Sequence, residues 1–270
     1  MIRVKRGKPQ YAERIAISTT CPSFSGILCG NSEGKVWVNQ LDTPHLAIVY
    51  SAPVGAFRIL GKVETEQEYD SLIQFIQQDL FQQLREVGET EFEFAADYKE
   101  LEEKLLASFH RHQIIKDQEL SYLQESKALS VYPPIEGYII RKVDAEFLEK
   151  DYVNRDFLMG RLMESWGDKE QYLKYGISFV ALEKDKIVGV ILGTSNYNDI
   201  LPIDIETLEE HREKGIATEL TNYFLNYCVK NHKTAYWNCI TSNIASQGVA
   251  KKAGLEYKGK NDYFYFSFVQ

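Results

Sequence analysis

The sequence predicts an α/β protein of the α+β type, with a mixed sheet flanked by helices and two domains. Two runs rich in β-branched residues, 177–182 and 187–192, are separated by four polar residues and predict a β-hairpin. An apolar run at 203–208 leads through a basic, glycine-containing turn into a helical pattern. Pro133 and Pro134 interrupt the chain near its middle, where we expect a linker.

The first domain, residues 1–132, is expected to have strands first and helices after them. Short apolar runs and longer amphipathic stretches mark these elements. The predicted strands are 36–38, 46–50 and 57–60, and the predicted helices are 64–87 and 96–124. This order indicates an α+β N-terminal domain.

The second domain, residues 136–270, is expected to alternate strands with helices. Besides the hairpin and the run at 203–208, the predicted strands are 138–141, 235–240 and 263–268. The predicted helices are 145–150, 154–175, one from the glycine turn to about 232, and 243–253. Apolar residues at 216, 220, 224, 225 and 228 would form the buried face of the third of these helices.

Composition excludes several classes of protein. The 270 residues are 44% hydrophobic and 26% charged, with a net charge of −8, so a general nucleic-acid-binding surface is not expected. No apolar run approaches the length of a membrane span, and none follows the basic N-terminus as in a signal peptide. The four cysteines lack metal-site spacing, and Cys228 and Cys239 are expected to be buried free thiols. We therefore expect a cytoplasmic protein without a metal.

The turn from Arg212 to Ala217 is the strongest candidate for a binding site. A strand that ends in a basic turn and continues as a helix presents free backbone N–H groups and a positive helix end. Gly215 allows the main chain to approach a ligand closely. These features predict a site for a phosphate or pyrophosphate group. For His211, which adjoins the turn, contact with a phosphate and exposure to solvent are both open.

Two motifs in the second domain resemble those of GNAT-superfamily N-acetyltransferases. The family pattern Gln/Arg-x-x-Gly-x-Gly/Ala is matched by Arg212, Gly215 and Ala217. The segment 243–255, with Asn243 at its start and Gly254 near its end, resembles the family's second helix motif. The whole chain is similar to a two-part branch of the family that includes antibiotic-resistance enzymes, in which the first half is a degenerate GNAT-like partner.

The resemblance implies a splayed central sheet and a site for acetyl-CoA as acyl donor. The pyrophosphate would be held at Arg212, Glu213, Lys214, Gly215, Ile216 and Ala217, with the hydroxyl of Thr218 at the helix start. The pantetheine arm would pair with the strand end at Thr207 and Leu208. Asn243 and Ser246 on the following helix would also bind the cofactor.

One position departs from the family pattern. The tyrosine that often protonates the leaving thiolate corresponds here to Ala250, which has no proton to donate. Another tyrosine could take this role, a water could supply the proton, or the thiolate could leave unassisted. For the nearby Tyr257 and Tyr263 we expect roles in packing. A non-catalytic acyl-CoA-binding sensor or assembly module is therefore the alternative function.

Glu206 is the candidate general base, because an amine must be neutral to attack a thioester and family members often carry a glutamate on this strand. Strand alternation places Asp204 and Glu206 on one face. Desolvation in a cleft would favour the neutral form of this carboxyl, whereas a solvated or ion-paired face is equally expected.

The sequence and the resemblance together predict direct transfer of an acetyl group from acetyl-CoA to a primary amine of a small molecule. The acceptor is not specified by any motif. The first domain is expected to form part of the acceptor pocket or a dimer surface, which leaves a homodimer open.

Overall fold

The computed structural model describes residues 1–4, 13–16, 21–129 and 133–269 of the chain. Tertiary contacts divide the chain into two compact units. Unit 1 comprises residues 1–118 and 262–270, and unit 2 comprises residues 119–261. The boundary between the units does not fall at the linker expected near Pro133 and Pro134. Val131 and Tyr132 of that linker lie outside the described residues. The C-terminal end is instead part of the unit that contains the N-terminal half.

Unit 1 contains a mixed sheet with the strand order β1-β2-β3-β4-β5-β12. Its strands are β1 (Ile2–Val4), β2 (Lys35–Val38), β3 (Leu46–Ser51), β4 (Ala56–Gly61), β5 (Glu91–Ala96) and the end of β12 (Glu256–Ser267). Neighbouring strands are antiparallel except β4 and β5, which are parallel. A helical crossover joins this parallel pair, as a parallel connection requires.

The helices of unit 1 flank this sheet. They are α1 (Glu13–Ala16), α2 (Pro22–Leu28), α3 (Glu66–Gln74), a π-helical segment (Phe75–Leu80), α4 (Phe81–Glu86) and α5 (Lys99–Ser108). The core between the crossover helices and the sheet is rich in aromatic rings. Phe92 and Phe266 are 0% and 1% exposed, and their ring centroids are 5.8 Å apart. The C-terminal strand thus completes the core of unit 1.

The prediction of a helix over 96–124 is wrong for most of its length. Ala96 ends β5, α5 covers only Lys99–Ser108, and residues 115–123 form strand β6 (Ile115–Leu123). The last residues of β6 pair antiparallel with a strand of unit 2. A turn at Phe109 and His110 separates α5 from β6 without a glycine or proline. The pairing of β6 with its neighbouring strand outweighs the helical propensity of the segment.

Within unit 2 the strands are mixed in direction and follow the order β6-β11-β10-β9-β8-β7. Besides β6, its strands are β7 (Ile139–Lys142), β8 (Ser178–Glu183), β9 (Lys186–Gly193), β10 (Ile200–Thr207) and β11 (Thr234–Ile240). The predicted hairpin is confirmed as β8 and β9, with Glu183 opposite Lys186. β10 and β11 are parallel and joined by a helix, which gives the sheet its mixed character.

Helices cover both faces of the unit 2 sheet. They are α6 (Ala145–Leu148), α7 (Arg155–Trp166), α8 (Lys169–Tyr175), α9 (Ile216–Lys230) and α10 (Ile244–Lys252). One core layer lies under α9 and α10, and the other lies under α6, α7 and α8. The predicted fold class, a mixed sheet flanked by helices, is confirmed. In the described parts of the chain, no helix combines the length and apolar character needed to cross a membrane.

The predicted burial of Cys228 and Cys239 is confirmed, and both are free thiols. Burial raises the pKa of the Cys228 thiol to about 12. This side chain is therefore a small apolar core residue of α9 at neutral pH rather than a reactive nucleophile.

Phe266→Ala should destabilise unit 1 by about 3–5 kcal/mol, because it removes a buried ring from the aromatic core. The measurement is hydrogen exchange at the amides of β5, which report local opening. Tyr265→Ala, on the other face of the same strand, is the control and should cost much less. Equal effects of the two variants would contradict the placement of the C-terminal strand in this core.

Candidate active site

The sheet of unit 2 opens between β10 and β11. Their parallel pairing runs from Ile200 to Pro202 and ends there, in the portion of the chain that the structure describes. β10 remains paired with β9 as far as Thr207, and β11 remains paired with β6 as far as Ile240. Proline has no N–H to donate to a ladder, so Pro202 suits the end of the pairing. The strands splay beyond it.

A cavity of about 840 Å³ lies at this opening. Its wall includes the ends of β10 and β11, the turn before α9, and the first turns of α9 and α10. The lining residues are Ile205, Glu206, Thr207, His211, Arg212, Glu213, Gly215, Ile216, Ala217, Thr218, Trp237, Asn243, Ile244, Ala245, Ser246, Gly248, Val249 and Lys252. The structure thus brings together most of the site residues predicted from the sequence.

The N-terminus of α9 has no side-chain cap. Its N-cap is Gly215, which has a left-handed backbone with φ of 87°. Glycine adopts this conformation without strain, and it offers no side-chain acceptor to the first N–H groups of the helix. Ile216, Ala217 and Thr218, which carry N–H groups of this first turn, all line the cavity. The free donors and the positive helix end therefore suit an anionic group.

The N-terminus of α10 is capped internally. The Asn243 side-chain Oδ1 accepts a hydrogen bond from the Ser246 backbone N–H at 2.9 Å. The Ser246 hydroxyl accepts a hydrogen bond from Trp237 Nε1 at 3.0 Å. Both predicted cofactor-binding residues line the cavity, but each also holds the protein together. The cap uses only Oδ1 of Asn243, and the Ser246 hydroxyl keeps its own proton, so both side chains still have a donor.

The corresponding helix entry in unit 1 lacks these anion-binding features. Thr65 caps α3 by accepting from the Glu68 backbone N–H at 3.1 Å. Glu66 and Glu68 lie in the first turn, where their carboxylates disfavour another anion. The crossover of unit 1 therefore resembles that of unit 2 in topology but not in chemistry.

The turn before α9 is held at both ends. Arg212 Nε donates to the Thr207 carbonyl oxygen at 3.1 Å, which ties the turn to the end of β10. His211 is only 5% exposed, so the alternative of a solvent-exposed histidine is wrong. The Lys214 ammonium donates to the Tyr138 hydroxyl at 3.1 Å. Lys214 and Leu208 are the two predicted binding residues that do not line the cavity.

Glu206 forms an ion pair that the sequence did not specify. Arg161 on α7 donates to both Asp204 and Glu206. The two carboxylates therefore share the α7 face of the sheet, as strand alternation requires. The Glu206 side chain is 39% exposed and lines the cavity, whereas Asp204 does not line it. The sequence left open whether the Glu206 carboxyl is desolvated in a cleft or lies on a solvated or ion-paired face. The structure shows the ion pair.

No tyrosine lines the cavity within the described residues. Ala250 is fully buried in the core layer under α9 and α10. Tyr257 packs edge-on against Tyr122, with ring centroids 5.8 Å apart. The Tyr263 hydroxyl donates to Asp117 at 3.2 Å within unit 1. Both tyrosines make structural contacts of the kind expected for them.

Several lining residues were missed by the sequence reasoning. Ile244, Gly248 and Lys252 are four residues apart on α10 and share one face of the helix, which is a readable signal. Ile205 and Trp237 line the cavity because they lie where the strands separate. No local pattern marks Arg161, since its partners are more than 40 residues away on another element.

Glu219 on α9 is a buried carboxyl close to this site. It is 7% exposed and accepts a hydrogen bond from the Ile135 backbone N–H, while its Oε2 has no partner among the described residues. Burial raises the pKa of Glu219 above its ordinary value of 4.5, and the Ile135 hydrogen bond opposes that shift. Ionisation of this group therefore destabilises the fold.

Comparison with known proteins identifies the family. A sequence model for GNAT acetyltransferases matches residues 15–264. The chain belongs to the GNAT acetyltransferase family. It is therefore an acyltransferase, and the resemblance inferred from the two motifs is confirmed.

Relatives of known fold support the same two-part GNAT architecture. A GCN5-related N-acetyltransferase-like protein of Streptococcus suis 89/1591 has a TM-score of 0.65 at 15% identity, with 94% of this chain and 96% of that chain covered. A tandem GNAT protein from the clavulanic acid biosynthesis pathway has a TM-score of 0.58 at 11% identity, with 100% and 98% covered. At such identities the likeness shows the fold alone.

Part of the chain is also similar in sequence to a bacterial protein. The chain is 25% identical over 120 residues to an uncharacterized N-acetyltransferase, YdfB, of Bacillus subtilis (strain 168). The alignment covers 44% of this chain and 45% of that protein's length, so this chain matches less than half of that relative.

Glu219→Gln should stabilise the protein more at about pH 8 than at about pH 5. With a raised pKa, the folded state holds the proton more tightly, so stability falls as pH rises through the folded pKa. Glutamine keeps the acceptor for Ile135 without a charge. Urea unfolding of both proteins at the two pH values measures the difference. A gain independent of pH would show that Glu219 does not titrate as proposed.

Proposed function

We propose that the protein transfers the acetyl group of acetyl-CoA directly to a primary amine of a small molecule. The uncapped N-terminus of α9, which opens into the cavity behind Gly215, carries this proposal. It fits the pyrophosphate of a coenzyme A thioester because backbone N–H groups and the helix dipole act on the same anion. Arg212 adds a positive charge to the wall of this cavity.

The splayed strands support the placement of the acyl group. Beyond Pro202, the edge of β10 that faces β11 has lost its ladder partner, in the described part of the chain. Backbone groups on this edge are suited to pair with the extended pantetheine arm. Bound acetyl-CoA supplies an activated thioester to this cleft, and backbone N–H groups there would polarise its carbonyl.

Glu206 is proposed to accept the proton of the amine. The amine nitrogen forms a bond to the carbonyl carbon, the carbon–sulfur bond breaks, and the thiolate leaves with the bonding electron pair. Glu206 lines the cavity at the end of β10, and Arg161 holds its carboxylate from the α7 side. Positioning of the amine beside the thioester supplies much of the acceleration.

Residue 250 takes no part in protonating the thiolate, because it is a buried alanine. This is the observation that favours an acyl-CoA-binding module as the second candidate function. Titration with acetyl-CoA and release of thiol over a panel of amines separate the two. Binding without turnover on any amine would support the binding module.

Gly215→Glu should weaken binding of acetyl-CoA by about two orders of magnitude, or about 2.7 kcal/mol. The new carboxylate would lie at the helix end where the pyrophosphate is proposed to bind. Gly254→Glu is the matched control, because Gly254 also has a positive φ, of 78°, and does not line the cavity. Calorimetric titration of both variants tests this, and equal affinities would exclude the pyrophosphate assignment.

Glu206→Gln should lower kcat by about 10²–10⁴-fold and flatten the pH dependence of the rate, with little change in acetyl-CoA affinity. Asp204→Asn is the control, since it shares Arg161 but does not line the cavity. It should keep the pH dependence. A wild-type pH–rate profile in the Glu206 variant would remove this residue as the base.

A further inference from the structure

We infer that Tyr138 is a positioning residue that holds the turn before α9 in its anion-binding conformation. This inference rests on the proposed pyrophosphate site. Tyr138 directly precedes β7, far in sequence from the turn. Its hydroxyl lies 3.0 Å from Nδ1 of His211 and 3.1 Å from the Lys214 ammonium. Tyr138 thereby contacts the turn on both sides of Arg212.

The donors available fix the direction of one of these hydrogen bonds. A lysine ammonium has only protons to donate, so the Tyr138 oxygen accepts from Lys214. The hydrogen bond between the Tyr138 hydroxyl and His211 Nδ1 runs in the direction that the histidine tautomer sets. It fixes the orientation of His211, a buried residue in the wall of the cavity.

Ring contacts reinforce the same arrangement. The rings of Tyr138 and His211 meet edge to face, with centroids 5.8 Å apart and an interplanar angle of 88°. The Lys214 ammonium lies 5.8 Å from the centroid of the Tyr138 ring. The Lys214 side chain is therefore held by the tyrosine, which explains why it does not line the cavity. The anion is left to the backbone N–H groups and Arg212.

The residues just before Tyr138 brace the start of α9. The Tyr138 backbone N–H donates to the Ile135 carbonyl oxygen at 3.2 Å, which closes a short turn. The Ile135 backbone N–H donates to Glu219 in the first part of α9. The Ile135 side chain lies 3.4 Å from the point that a Cβ at Gly215 would occupy. The segment 135–138 thus touches the binding turn at His211, Lys214 and Gly215.

The function of this brace is preorganisation. Glu213 and Gly215 both have positive φ, of 63° and 87°. A non-glycine residue in that region is strained, so the turn needs outside contacts to stay in this conformation. A turn that is ordered before binding loses less conformational entropy when the anion arrives. Tyr138 contributes to affinity in this way without touching the ligand.

Tyr138→Phe tests the inference, because it removes both hydrogen bonds and keeps the ring. Acetyl-CoA should bind about tenfold more weakly. S-acetylpantetheine, which has no pyrophosphate, should bind as it does to the wild type. Tyr223→Phe is the matched control, since Tyr223 is 45% exposed on α9 and its loss of a hydroxyl should leave both affinities unchanged. Equal weakening for the two ligands, or no weakening, overturns the inference.

A double-mutant cycle with Lys214→Met identifies the route of the effect. If Lys214 acts through Tyr138, the affinity of the double variant for acetyl-CoA should equal that of the single variant that binds acetyl-CoA less tightly. Additive losses would show that Lys214 contacts the anion independently, and would overturn the inference.

Hydrogen exchange in the free protein separates this inference from the proposed function. Tyr138→Phe should speed exchange of the amides at 212–217 and leave those of β8 and β9 unchanged. Unchanged exchange at the turn overturns the inference whether or not acetyl-CoA binds. Failure of the wild type to bind acetyl-CoA, with faster exchange in the variant, would instead overturn the pyrophosphate assignment.

Discussion

The separation of β10 from β11 after Pro202 is the constraint on which the rest of the site depends. A parallel pair that stayed in register would satisfy its backbone groups internally and leave no cleft. Each strand keeps its outer partner, β9 on one side and β6 on the other, so the sheet remains stable while its centre opens. The cavity therefore lies where the two strands separate, and the sheet sets its position.

The two helix ends at this opening are used differently. α9 begins behind a glycine and leaves its first N–H groups free, whereas α10 is capped by Asn243. Unit 1 shows the same crossover with a capped and acidic helix end. One topology therefore leaves the helix-end N–H groups without a side-chain cap in one half and caps them in the other. The difference comes from Gly215 in unit 2 and from Thr65, Glu66 and Glu68 in unit 1, and not from the fold.

Charged side chains near the cavity are held by residues that are far away in the sequence. Arg161 fixes the two carboxylates of β10 on the α7 side, and Tyr138 holds Lys214 away from the wall. The wall of the cavity itself carries two cations, Arg212 and Lys252, and two carboxylates, Glu206 and Glu213.

The sequence by itself determined the local elements of unit 2 and the central part of the site. Periodicity predicts the hairpin, β10, α9 and α10, and Gly215 marks the turn, because these signals lie within a few residues. Tertiary structure decided what depends on distant segments: β6 as a strand, the C-terminal strand in the core of unit 1, Arg161 beside Glu206, and the burial of His211 under Tyr138. Pairing partners far apart in sequence leave no local pattern, since only folding brings them into contact.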